Sequence, residues 1–512
     1  MKARKVTWWN VLGYACLNFL GGGTQALSSA FLMFFYTSAC DIPAVQAGLI
    51  FTIARLIDAV ANPVWGFISD NFGRTKLGKR FGRRHFFILL GAPLVLVSYP
   101  LLWTPGHSFT FYLCANMFYE MIFTSVMVPG PTLPAEMTQK ASEKTTLVSA
   151  KQYCGTFAST IALLFPAYFF QRLGEGSVDA YFYTGLSYAI VTSLSLLAVY
   201  FLTFERAPED IHYTDKMGSI HHVLLKLIND VGASMHIRAF RLHAGMMLFI
   251  GIYKNLAAGV FTYYVIYALG LTKSATSIIT SVGTLVSFVA LAIFITLCYR
   301  YGGPFAFKIV GVIVTVSLVG YYVLFVGRVG MEEHMVIVWL TILAIVNNIG
   351  KAGADYIPVF QLPFMADIDE AVTMERREGI YTGVNGLLSK VASAMEGFLL
   401  GVGLAAFGFE KGAGTQTASA IDGVLVMTIV VPILLCVVIY FISRNLTLTK
   451  ENHKLLVDEV HRIRAGGSMA DVTPETRKAV ESLTGWKYEQ CFGHNHLLHH
   501  DSDVAPAASA NS

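Results

Sequence analysis

Apolar residues in this chain come in long unbroken runs separated by short polar breaks, with neither strand alternation nor a single amphipathic stripe. About 20 such residues, wound as a helix, cross a hydrocarbon core of about 30 Å. Twelve runs approach or exceed that length: 9–36, 46–69, 86–104, 109–131, 147–171, 180–203, 243–269, 275–298, 305–327, 335–360, 379–407 and 421–443. The pattern predicts an all-α polytopic membrane protein. The first run is too long, too Gly-rich and followed by too many others to be a cleaved leader, so it is read as mature structure.

Composition agrees: of 512 residues, 54% are hydrophobic and 14% charged, and the mean hydropathy is +0.56. The net charge of +4 reads as topology, because Lys and Arg crowd into one class of loop. SDNFGRTKLGKRFGRR, between the second and third runs, holds six of them, whereas alternate loops hold single residues such as Lys273, Arg328 or Lys411. The positive-inside rule then puts both termini and the basic loops in the cytoplasm. Nucleic-acid binding is not implied. The seven cysteines are scattered singly with no CxxC pair, which excludes a disulfide framework.

The runs divide into two sets of six. Residues 1–204 form an expected N-terminal six-helix bundle, 205–242 a cytoplasmic central loop, 243–444 a second bundle and 445–512 a cytoplasmic tail. RYGGPFAFK follows the second run of the second half as GRTKLGKRFGRR follows that of the first. Paired repeats of this kind place a binding site between them, near the bilayer midplane.

ARLIDAVANPVWGFISD puts charge inside the second run. An ionisable group at that depth costs a few kcal/mol and faces protein or water. Arg55, Asp58 and Asn62 project within about 60° of one another on a helix. Pro63 frees a backbone carbonyl one turn back, a possible further oxygen ligand beside Asp58. A proton needs one carboxylate, Na⁺ several oxygens. The plainer alternative is an Arg55–Asp58 pair that only joins helices. Glu120, Lys254, Lys351, Asp355, Lys390 and Glu396 add charge in other runs, which favours a polar cavity, although Lys351 and Asp355, four residues apart on one face, can neutralise each other.

RLIDAVANPVWGFISDNFGRTKLGKRFGRRHFFILLGAP, MADIDEAVTMERREGIYTGVNGLLSK and VPGPTLPAEMT resemble the glycoside, pentoside and hexuronide cation symporters of the major facilitator superfamily, melibiose permease among them. The resemblance runs over residues 10–445. It implies the major facilitator fold, twelve helices in two six-helix bundles, and secondary transport by alternating access. It also implies coupling to Na⁺ or H⁺, residence in a bacterial inner membrane, and no further cofactor. Residue by residue, Asp58 matches an acidic cation ligand, Thr124 a hydroxyl near it, Arg55 the neighbouring arginine, and Lys390 the lysine that joins cation and sugar sites.

Departures from that family are informative. Asn62 stands where melibiose permease has a second acidic ligand, Gly22 at the first-helix sugar aspartate, Met127 at the fourth-helix aspartate, and Gln152, beside Lys151, at a fifth-helix arginine. With those carboxylates gone and Lys254 and Lys351 present, the expected cavity leans positive and suits an anionic hexuronide or oligogalacturonide. Its expected walls are Gly22, Glu120, Lys151, Gln152, Lys254, Lys351 and Asp355; Tyr119, Tyr263, Tyr264 and Tyr267 could stack on sugar faces, although ordinary packing and interface anchoring is the favoured reading of each. A lysolipid carrier of the same fold is one alternative, with the 21–23 GGG and Met127 making room for an acyl chain. A transport-inactive sensor signalling through the tail is another.

Asp70, Gly73, Arg74, Arg83 and Arg84 sit where the superfamily forms a cytoplasmic charge latch. In the tail, Thr473 before Pro474 starts a short helix and Gly485 stops it. Cys491, His494, His496, His499 and His500 lack fixed metal-ligand spacing, so no resident metal is expected. No P-loop, nucleophile with a placed base, or HExxH is present. The chain therefore reads as a carrier and not an enzyme, with a small glycoside or uronide and membrane lipid as its partners, no nucleic acid, and a monomeric unit.

Overall fold

A computed structural model describes residues 5–138, 140–206, 229, 231–375 and 377–495. Most of the predicted central loop and the His-rich end from His496 onward lie outside the described residues. Among the described residues there are helices and turns and no strands, as lipid demands of a chain that must satisfy its backbone polar groups within each segment.

Ten helices are long and apolar enough to cross a membrane, and His85–Leu101 is a shorter apolar one. The count falls below the expected twelve partly because the first run is broken. It proceeds as Trp8–Ala15, a π-helical stretch Phe19–Thr24, a turn Gln25–Leu27, a second π-helical stretch Ser28–Leu32 and Met33–Ser38. We number the spans one to twelve in chain order, with His85–Leu101 as the third. The others are Ala44–Asn71, Phe109–Met127, Ala141–Leu173, Asp179–Leu202, Arg238–Tyr263, Lys273–Tyr301, Gly303–Gly327, Glu333–Thr373, Glu378–Ala406 and, in pieces, 418–445.

The second and eleventh spans cross at glycines. A Cβ on Gly48 would collide with the Gly397 carbonyl oxygen, and one on Gly401 would lie 2.6 Å from that of Ala44, so only hydrogen permits backbones this close. Nearby bonds also join the halves. The Thr37 and Tyr263 hydroxyls lie 2.7 Å apart, those of Ser38 and Tyr267 3.0 Å apart, and the Gly412 amide donates to the Thr37 carbonyl at 2.9 Å. All of these lie at the end opposite the 71–84 basic loop. Toward that loop the same eleventh span carries Gly383 and Gly386, where an added Cβ would meet nothing within 4 Å. The halves are held together at the end opposite the basic loop.

The tail folds back on the tenth span. Lys450–Arg464 is a helix that the apolar-run pattern does not reveal, and Pro474–Thr484 is the short helix expected, with Thr473 accepting from the Thr476 amide at its start and Gly485 at a φ of 78° after its end. Arg464 pairs with Glu370 at 2.5 Å and His453 contacts Asp367 at 2.9 Å. The Phe492 and Gly493 amides donate to the Ala371 and Val372 carbonyls.

Candidate functional site

The second span, an unbroken helix with Pro63 inside it, carries its polar stripe inward. Asp58 is buried, and three groups converge on its carboxylate. Thr124 of the fourth span donates to Oδ1, Lys390 of the eleventh forms an ion pair with Oδ2, and Asn62 Nδ2 reaches Oδ1 at 3.3 Å while donating to the Asp58 carbonyl at 2.7 Å. The Lys390 ammonium also lies 5.4 Å from the Phe123 ring centre. Asp58, Asn62, Thr124 and Lys390 are thus brought together, and Lys390 reaches them from the other half of the molecule.

Arg55 takes a different partner from the one weighed for it. It pairs with Glu120 at 2.9 Å and donates to Gln25 Oε1 at 2.9 Å, so the simple Arg55–Asp58 tie is not formed. Glu120, expected on the substrate wall, is buried behind Arg55 and does not line the cavity. The cause is charge matching: Glu120 and Asp58 are each held by the base that can reach them.

Between the halves lies a cavity of about 440 Å³. From the expected wall it keeps Gly22, Gln152, Lys254, Lys351 and Asp355. Lys254 forms an ion pair with Asp355 across the seventh and tenth spans, replacing the expected Lys351–Asp355 neutralisation. Lys351 lines the cavity with no acid in ion-pair reach among the described residues. Lys151 is elsewhere, its ammonium 5.9 Å from the Tyr14 ring centre.

Gly22 and Gly23 serve packing: a Cβ on Gly22 would come 2.9 Å from the Gly155 carbonyl, and one on Gly23 would overlap the Tyr188 hydroxyl. They admit neighbouring helices, while Gly21 and Gly22 also line the cavity. Tyr119, Tyr263 and Tyr264 are buried in hydrogen bonds with Thr24, Thr37 and the Tyr321 carbonyl, and Tyr267 bonds Ser38. None of the four lines the cavity, whose aromatic walls are Phe261 and Tyr321.

Sequence reasoning missed the cavity's uncharged polar lining: Gln25, Asn18, Asn255, Asn347, Asn348 and a hydroxyl stripe, Thr280, Thr284 and Ser287, on the eighth span. The stripe had a signal, since i, i+4, i+7 spacing puts those three on one helical face. Gln25 had none. Its importance comes from touching both the cavity and Arg55.

At the basic-loop end, Glu136 sits among Arg83, Arg84 at 3.4 Å and Arg206 at 4.0 Å, and Arg84 also reaches Asp70 at 3.3 Å. The Glu205 carboxylate accepts from the Arg83, Arg84 and His85 amides, filling the orphan donors of the third span's start. Gly73 is buried in the turn Phe72–Arg74. In the second half, Asp369 holds Arg377 through two bonds of 2.5 and 2.8 Å.

Comparisons with known proteins agree with this architecture. The isoprimeverose transporter of Lactiplantibacillus pentosus is 23% identical over 439 residues, covering 84% of this chain and 86% of its own. The putative glycoside/cation symporter YagG of Escherichia coli is 22% identical, covering 91% and 98%. Among solved structures, a mutant of the nucleoside transporter NupG superposes with a TM-score of 0.60 at 12% identity, over 86% of this chain and all of that one, a likeness of fold. The family described as MFS/sugar transport protein matches residues 13–450, so this integral membrane chain, a carrier and not an enzyme, belongs to that family.

Proposed function

We propose that the protein is a cation-coupled symporter that moves an anionic glycoside, a hexuronide or oligogalacturonide, by alternating access. In this reading Asp58, with Thr124 and Asn62, takes Na⁺ or H⁺, and Lys390 and Arg55 carry the coupling. The substrate occupies the cavity against Lys351. The protein works as a monomer in a bacterial inner membrane, with termini and basic loop in the cytoplasm and the Asp70, Gly73, Arg74, Arg83 and Arg84 region as the latch of that face.

The observation that carries this reading is the Lys390–Asp58 pair, because it ties the two halves across the cation site. A cation arriving at Asp58 competes with the ammonium and releases Lys390, and linkage makes ion and substrate each tighten the other. One charge moving through 100 mV supplies about 2.3 kcal/mol for accumulation. Lys351 supports an anionic substrate, since a carboxylate leaving water needs a paired cation. The amide- and hydroxyl-rich lining favours a polyhydroxylated ligand over the acyl chain of a lysolipid. A sensor role is the weaker alternative, although the tail that would carry its signal is docked on the tenth span.

Uptake of labelled oligogalacturonides and neutral galactosides into vesicles with imposed Na⁺ or H⁺ gradients tests the proposal. Uronide uptake driven by one gradient is the expected result, and it names the ion. No sugar uptake under either gradient, with lysolipid uptake instead, rejects it.

A further inference from the structure

The fifth and eighth spans, one from each half, complete each other at the end opposite the basic loop. Ser277 of the eighth span is fully buried, and its hydroxyl donates to the Leu163 carbonyl of the fifth while accepting from the Ala167 amide at 3.0 Å. A regular helix joins those two groups, four residues apart, to each other. Pro166 beside them has no amide to give, so this turn of the fifth span is where a hydroxyl from a neighbour can enter the ladder.

In return the first half caps the eighth span. Glu175, in the turn after the fifth span, accepts from the Lys273 amide at 2.8 Å, the Ser274 amide at 3.2 Å and the Ser274 hydroxyl. Thr272 accepts from the Ala275 amide at 3.1 Å. Three of the four donors that a helix start leaves without partners are thus filled, two of them by the other half, and the carboxylate lies at the positive end of the helix dipole. The Lys273 ammonium donates to the Glu175 carbonyl at 2.8 Å and lies 5.1 Å from the Phe170 ring centre.

These bonds stand apart from the Asp58 cluster, yet they border the cavity. Leu163 is one of its walls, and Ser277 continues the face of Thr280, Thr284 and Ser287 toward the start of the span. They can also be released without stranding a polar group in lipid. The Leu163 carbonyl and Ala167 amide then pair with each other, and the Ser277 hydroxyl turns to the carbonyl four residues back, as those of Thr276, Thr280 and Ser281 already do. The Glu175 carboxylate, half-buried at the end of the span, meets water.

We propose that this reciprocal completion is the latch of the gate opposite the basic loop: Ser277 and Glu175 hold the halves together there, and the gate opens as their bonds are exchanged for intrahelical and water ones. What passes through the gate rests on the transporter reading above, while the latch itself is measurable without substrate.

Hydrogen exchange of the purified full chain, read by mass spectrometry, tests it with Ser277→Ala, which removes the bridging hydroxyl, and Glu175→Gln, which removes the capping charge. A latch that acts as one unit loosens as one. Ser277→Ala is expected to quicken exchange about fivefold in peptides holding Lys273, Ser274 and the Gly412 amide that bonds the Thr37 carbonyl. Glu175→Gln is expected to do the same at Ala167 and Gly412, with 450–495 unchanged as the control for folding. In vesicles with substrate presented at the latch face, both variants are expected to lower KM about threefold and to lower the maximal rate, because more of the carrier stands open to that face. A merely weakened fold lowers the rate without lowering KM. Exchange that changes only in the substituted turn overturns the proposal, as does an unchanged KM in a variant that still transports. Coupled exchange in a protein that moves no sugar under any gradient keeps the latch and removes the transporter reading instead.

Discussion

The Asp58 cluster and the cavity are both polar regions inside the membrane, yet they are built on opposite rules. Around Asp58 the charges are matched in contact: Arg55 with Glu120, Lys390 with Asp58, the remaining positions filled by Thr124 and Asn62. The cavity has one matched pair, Lys254 with Asp355, and leaves Lys351 facing space among amides and hydroxyls. In the proposed mechanism the matched cluster acts as the switch, because an entering cation must displace a partner, and the unmatched cation acts as the receptor, since its partner has to come from outside.

The largest effect is expected from breaking the matched side. Asp58→Asn removes the acid and strands Lys390, and losing one partner of a buried pair costs about 3–5 kcal/mol. Gradient-driven uptake should fall at least about 100-fold, measured in vesicles. Accumulation of substrate against its gradient by this variant would remove Asp58 from the coupling role.

Breaking the unmatched side should cost less and act on affinity. Lys351→Ala removes a charged hydrogen-bond donor, worth about 1.5–3 kcal/mol, so the KM for a uronide should rise about 10- to 100-fold while that for a neutral galactoside changes little. Equal losses for both sugars would mean that Lys351 shapes the cavity without reading charge.

Gln25 joins the two regions. Gln25→Ala should cost about 1 kcal/mol and weaken the dependence of substrate affinity on the coupling ion, with protein level unchanged. Full ion dependence in this variant would leave Lys390 as the sole link.

The smallest effect lies outside both regions. Tyr488 donates to Glu459 in the tail, and Tyr488→Phe should loosen tail docking by about 1 kcal/mol, seen as faster hydrogen exchange over 450–495. The Arg462 hydrogen bonds hold the Glu459 carboxyl below its usual range. That contribution is fully present above the unfolded value of about 4.3 and is lost as pH falls through the folded one, so tail exchange should quicken only in acid.

Local pattern was enough to show that the chain spans a membrane many times, that charge lies within the spans at Arg55, Asp58 and Lys390, and where the 474–484 helix starts and stops. Each of these is written in run length, loop charge, motif or cap. Which base holds which acid was settled by the packing of the spans, which sent Arg55 to Glu120 and Lys254 to Asp355. The same packing gave Gly22 and Gly23 their close contacts, turned the four tyrosines to structural bonds, and set Gln25 against both polar regions. Those outcomes depend on contacts between spans far apart in the chain, where reach and burial choose among several equally charged candidates, and helical spacing is blind to that choice.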